Sequence, residues 1–224
     1  MRLALIVCSI LCARVAGAGE GRDARVEERL EWLEQRIQAE ARGATLWESA
    51  WSVVDVGGVG YGIYSLSRQK TRGELAAGIV GVTKASLGVL AISILPLHAT
   101  LGARELARRE RDEQDRVARL DFAEKVLYRN VVDVEQRYTW RPHVLGLAVH
   151  LVGAAIIGAL GDWKKAGTSF GIGIAVTEAQ IWTRPWRARR DLREYRKQFG
   201  DVAPPWPPVR RALQVGAASI GLTF

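Results

Sequence analysis

Between residues 142 and 185 the chain carries two apolar runs, PHVLGLAVHLVGAAIIGAL and TSFGIGIAVTEAQIWTRP, separated by the tight polar turn GDWKKAG. Two long apolar runs joined by so short a turn must fold back on each other, which makes a hairpin of helices the expected unit. Residues 47–96 repeat the layout around the turn SRQKTRG. Sliding the chain by 94 positions places Gly73 on Gly167, Val82-Thr83 on Val176-Thr177, Ala85 on Ala179 and Lys84 on Glu178, so the hairpin reads as duplicated. The four runs, residues 46–66, 75–97, 143–160 and 168–183, are 16 to 23 residues long. A helix crossing the bilayer core needs about 20 residues. Trp47, Trp51, Trp140, Trp163, Trp182 and Trp186 fall at or near the ends of these runs, as an interfacial aromatic belt requires. The expected fold is therefore all-α, with two duplicated helical hairpins forming a four-helix membrane bundle, amphipathic flanking helices and a short extended C-terminus.

The flanks are as charged as the runs are apolar. In residues 22–42, Val26, Leu30, Leu33, Ile37 and Ala41 recur at spacings of four and three, the stripe of an amphipathic helix. Trp32 lies beside that stripe. Docking of this helix on its own bundle is expected rather than a coiled coil. The connection 99–141 alternates charges and then shows Val117, Leu120, Leu127, Val131 and Val134, the pattern of one long surface helix or two short ones. Residues 186–224 open with a basic helix, pass through the Pro/Trp run 203–208, which forces extended backbone, and end on Ile220, Leu222 and Phe224. That last alternation, closing on an aromatic, resembles a terminal barrel strand and keeps an outer-membrane destination open.

The 48% hydrophobic and 25% charged residues are thus segregated along the chain, which carries a net charge of +8. Residues 184–211 hold nine basic and three acidic side chains. A basic flank beside a membrane span explains that excess and is preferred to nucleic-acid binding.

The N-terminus MRLALIVCSILCARVAGA has an early Arg2, an apolar run and the small-residue signal Ala16-Gly17-Ala18. Residues 1–18 read as a secretory signal peptide cleaved after Ala18; the alternative is an uncleaved amphipathic anchor. Cys8 and Cys12 both lie in this stretch and in no lipobox. A cleaved chain would hold no cysteine, hence no disulfide, thiol chemistry or cysteine-ligated metal. The signal disagrees with the charge pattern. Cleavage starts the chain outside the cytoplasm, whereas the positive-inside rule holds the basic central and C-terminal segments within it.

Each apolar run carries one ionisable residue well inside it: Asp55, Lys84, His150 and Glu178. A charge in a bilayer costs about 2.5–3.5 kcal/mol on insertion scales, so such groups must face the bundle interior and find partners. Each shares a helical face with small residues, and Gly58-x-x-x-Gly62 adds a contact of the kind that lets membrane helices approach closely. Two readings follow. In one, Lys84–Glu178 and Asp55–His150 are pairs that fix helix register. In the other, the four groups form a proton or ion relay in a small transporter or channel subunit, with His150 titrating between two carboxylates.

There is no H-E-x-x-H and no phosphate loop, and the G-x-S-x-G match at Gly167-Thr168-Ser169-Phe170-Gly171 opens an apolar helical run with no strand before it, so hydrolytic catalysis has little support and no catalytic residue or cofactor site is assigned. His98, His143 and His150 are too scattered for a metal cluster, and His143 reads as an interfacial residue. The run 173–185, GIAVTEAQIWTRP, resembles a signature of uncharacterised bacterial envelope proteins, in which Gly-Glu-x-Gln-Ile-Phe/Trp-Thr-Gln-Pro ends the last apolar hairpin. Here Thr177 stands for the glycine and Arg184 for the glutamine. The resemblance covers residues 140–200 and implies a compartment and a layout without an activity. Trp182 anchors that helix at the interface and Pro185 ends it. The chain is expected to be a non-enzymatic structural or interaction protein of the bacterial cell envelope, favouring the inner membrane. Its expected partners are the lipid bilayer and either a second copy or another envelope protein.

Overall fold

The computed structural model describes residues 2–112 and 115–200, with the side chains of residues 23–109 and 115–200. The described residues are all-helical: α1 (Arg2–Leu66), α2 (Arg72–Ile94), α3 (His98–Asp112), α4 (Arg116–Arg137), α5 (Trp140–Ala159), α6 (Trp163–Thr183) and α7 (Ala188–Phe199). The predicted extended C-terminus lies outside them, and the side chains of the predicted signal segment are likewise not described.

The chain divides lengthwise into a charged end and an apolar end, and α1 runs through both without a break. At the charged end the first half of α1 packs with α3, α4 and α7 around Leu33, Ile37, Leu106, Leu127, Val134 and Tyr195, all buried. The stripe predicted for residues 22–42 supplies three of the core residues, Leu30, Leu33 and Ile37. The connection 99–141 forms two helices, and Asp115 starts the second by accepting the amides of Val117 and Ala118. Ion pairs between elements knit the surface of this end, including Arg119–Glu34 (2.5 Å), Arg116–Glu27 (2.9 Å) and Arg36–Glu194 (3.1 Å).

At the apolar end α1 pairs with α2 and α5 with α6, and α2 joins the two hairpins by touching both α5 and α6. Their turns meet. Thr71 and Glu74 form a capping box at the start of α2, and Asp162 caps α6 through the Lys165 amide. Lys165 then reaches across to Glu74 at 2.7 Å. A Cβ at Gly73 would lie 2.6 Å from Asp162 Cβ, so the absence of a side chain there lets the tips touch. Within the first hairpin, Cβ atoms at Gly58 and Gly62 would fall 3.1 Å from Ala85 Cβ and 2.6 Å from Val82 Cγ2. The Gly58-x-x-x-Gly62 face is therefore a place where α1 and α2 approach closely.

Two findings bear on the four predicted runs. Only two stretches among the described residues are helices long and apolar enough to cross a bilayer, Arg72–Arg109 and Trp140–Ala159, rather than four. Glu48 and Asp55 in the second half of α1, and Lys164, Lys165, Ser169, Glu178 and Gln180 in α6, make those two runs more polar. The second concerns the duplication, in which the matched glycines 73 and 167 differ in surroundings. Gly73 is pressed against Asp162, whereas a Cβ at Gly167 would meet nothing within 4 Å.

The apolar end is nonetheless unlike a soluble core. Of an 18-residue apolar window in each stretch, only 11% is buried in the first and 22% in the second. Val53, Tyr61, Leu87, Leu145, Val152 and Ile172 all stand exposed, each by more than half.

Candidate functional site

The four predicted polar groups lie on four helices, and the structure gives each a partner that the sequence reading did not. Asp55 accepts a hydrogen bond from Gln180 Nε2 at 3.4 Å. Lys84 Nζ donates to Ser169 Oγ at 3.4 Å. His150 Nε2 shares a hydrogen bond with the Thr177 hydroxyl at 2.8 Å, and its Nδ1 makes none. Glu178 accepts from His143 Nδ1 at 2.9 Å and from Trp182 Nε1 at 3.0 Å. The pairs Lys84–Glu178 and Asp55–His150 do not form. The sequence placed each group on a face with small residues, and a face leaves open which neighbouring helix lies opposite and at what height.

Asp55, Lys84 and His150 are each pressed against a glycine of the facing helix. A Cβ at Gly88 would lie 2.6 Å from Asp55 Oδ2, one at Gly153 2.7 Å from Lys84 Cε, and one at Gly173 2.2 Å from His150 Nδ1. The contacts step from α1 to α2, from α2 to α5 and from α5 to α6. Thr177 of α6 returns the contact to α5 at Gly146, 2.7 Å from where a Cβ would be. Each polar side chain thus fills the space that a missing Cβ leaves on its neighbour, the packing small residues permit.

Helix α6 is the hub of the hydrogen bonds. Ser169, Thr177 and Gln180 serve α2, α5 and α1 in turn. At the end of α6 the Thr183 hydroxyl accepts the indole N–H of Trp47 at 3.0 Å and of Trp51 at 3.1 Å. Trp182 stands exposed, packs edge-on against Tyr138 at 5.6 Å and bonds Glu178. Pro185 follows the end of the helix, and its carbonyl accepts from Arg137 Nη1 at 2.7 Å. His143, read from sequence as interfacial, holds Glu178. The signal for that pairing was its place one turn into α5, level with the last turn of antiparallel α6.

Where the two ends of the molecule join, a second polar cluster had no sequence signal of its own. Glu48 accepts the Leu97 amide at 2.6 Å and so braces the start of α3. Glu40 is 3% exposed and accepts the Ala188 amide at 3.2 Å, capping α7 from another helix. Burial drives its carboxyl up to about 7, Asp191 adds to the rise, and the Ala188 amide, Arg137 and Arg187 hold it back. Glu40 and Asn130, whose side-chain amide atoms make no hydrogen bond in the structure, line one cavity of about 10 Å³, about the room one water needs.

Among the described residues no three His, Cys, Asp or Glu side chains converge as metal ligands. No family model matches the chain, and no curated protein and no solved structure matches it.

Proposed function

We propose that this chain is a non-enzymatic structural or interaction protein embedded in a membrane of the bacterial cell envelope, favouring the inner membrane. Both hairpins cross the bilayer in this reading, and the charged helices gather at one face. The observation that carries it is the seating of Asp55, Lys84 and His150 on glycines of the facing helices. Polar groups used in this way fix the register and spacing of helices that lipid alone would leave free to slide. A relay would need ionisable groups in contact with one another. Here Asp55, Lys84 and His150 end on Gln180, Ser169 and Thr177, neutral residues that all belong to α6, and Glu178 bonds His143 rather than any of the other three. Four crossings remain compatible with two strongly apolar helices, because the polar residues of α6 bond inward to the other three and leave Ile172 outward. The exposed Trp140, Trp163, Trp182 and Trp186 lie at the ends of these helices, where an interfacial belt belongs.

Alkaline carbonate extraction of expressing cells tests the reading. The protein is expected to stay with the membrane pellet, as integral proteins do. Release into the supernatant would mean that the exposed apolar faces are covered by protein instead, and the proposal would fall.

A further inference from the structure

The boundary between the charged and apolar ends carries an open groove of about 610 Å³ between α1 and α3, within the size range of small-ligand sites. The small side chains of Ala41, Thr45 and Ser49 of α1 and Ala103 of α3 are part of its lining. Arg42 and Arg104 rise from opposite walls. Both are exposed, and among the described residues neither makes an ion pair or a side-chain hydrogen bond. This sets them apart from most basic residues of the charged end, which are paired. No carboxylate lines the groove. The nearest acids in sequence are engaged elsewhere: Glu40 caps α7 through the Ala188 amide, and Glu105 binds Arg108 and Arg109. Below the arginines the surface turns apolar, with Leu46 72% and Leu101 44% exposed. An occupant must therefore be anionic at one end, apolar at the other, and compact where the two meet.

We propose that this groove binds the phosphate headgroup of an anionic phospholipid, with Arg42 and Arg104 clasping the phosphate and the acyl chains descending past Leu46 and Leu101. The inference rests on the membrane reading above, since only at a bilayer surface does such a lipid meet the groove. Guanidinium–phosphate contacts are strong, charge-assisted hydrogen bonds, and the hydroxyls of Thr45 and Ser49 offer further donors.

The test reconstitutes the full chain into phosphatidylcholine vesicles containing one-tenth phosphatidylglycerol, then re-extracts it with detergent and identifies the retained lipid by mass spectrometry. Phosphatidylglycerol is expected at one molecule per chain, with its ratio to phosphatidylcholine raised about 30-fold over the ratio in the vesicle. Arg42→Gln with Arg104→Gln should abolish the enrichment, whereas Arg42→Lys with Arg104→Lys should keep part of it and Arg193→Gln all of it. Enrichment that survives the double glutamine variant, or a chain that inserts and retains the two lipids in vesicle proportion, would overturn the site while leaving the membrane reading intact. Displacement of the lipid by a co-purifying acidic protein would overturn it as well. A chain that fails to insert into any vesicle would overturn both.

Discussion

Tyr195→Ala is expected to undock α7 at a cost of about 3–5 kcal/mol, the range for removing a buried aromatic side chain. Tyr195 is 1% exposed and sits where α7 meets α1 and α4. Its ring packs on Trp32 at 5.4 Å and on Phe199 at 5.1 Å. Its hydroxyl donates to Glu124 and accepts from Arg29 Nε at 2.9 Å, while Arg29 also pairs with Glu124. Burial and the neighbouring Glu124 carboxylate both raise the phenol above its ordinary range, so it stays a donor at any physiological pH. Truncation to alanine removes the ring contacts and leaves Glu124 to Arg29 alone. Tyr195→Phe keeps the rings and should cost only about 1 kcal/mol, that of one hydrogen bond. Amide exchange along α7 reads both effects as opening equilibria, with alanine raising the open population roughly 150- to 5,000-fold. Equal protection in the two variants would show that the hydroxyl network, not ring packing, holds the helix.

Glu40→Gln is expected to stabilise the charged end by about 3 kcal/mol at pH 8 and to leave it nearly unchanged at pH 4. The sign follows from the raised carboxyl, at about 7 in the folded chain against 4.5 for the ordinary group. Between those two values the folded state binds more protons than the unfolded one, so stability is full below pH 4.5 and falls as pH rises through 7. At about 1.4 kcal/mol per unit, the loss across that window is about 3 kcal/mol. Glutamine keeps an acceptor for the Ala188 amide and brings no charge into the cavity shared with Asn130. Thermal unfolding of the detergent-solubilised protein between pH 4 and 8 should show a falling midpoint for the parent and a flat one for the variant. Parallel curves would mean that Glu40 is not the group responsible.

How far each feature could be read in advance follows from the kind of information that specifies it. The stripe in residues 22–42 and the pattern Leu120, Leu127, Val131, Val134 identified buried faces correctly, because helical periodicity alone decides which side of a helix turns inward. Val117 is the exception. It fits the same pattern but stands 62% exposed in the first turn of α4. The Gly58–Gly62 contact was legible for a similar reason, since small residues one turn apart mark a close approach. The partners of Asp55, Lys84 and His150 were not legible, because they depend on the height at which separate helices meet. The turns set that height, through the Thr71 capping box and the Lys165–Glu74 bridge between the tips. Glu40 was hidden differently. On α1 it reads as one more charge beside a stripe, and only the return of α7 some 148 residues later buries it.

In the proposed arrangement both hairpins cross a bilayer, with their turns on one side and the charged helices on the other. Single cysteines at Ser67→Cys in the first turn, Lys164→Cys in the second and Arg129→Cys on α4, in a chain whose Cys8 and Cys12 are replaced by serine, test it with a membrane-impermeant maleimide on sealed vesicles. The account predicts that the two turn positions behave alike and oppositely to Arg129→Cys, one class reacting in sealed vesicles and the other only after the membrane is opened. Reaction of all three positions from the same side would contradict it.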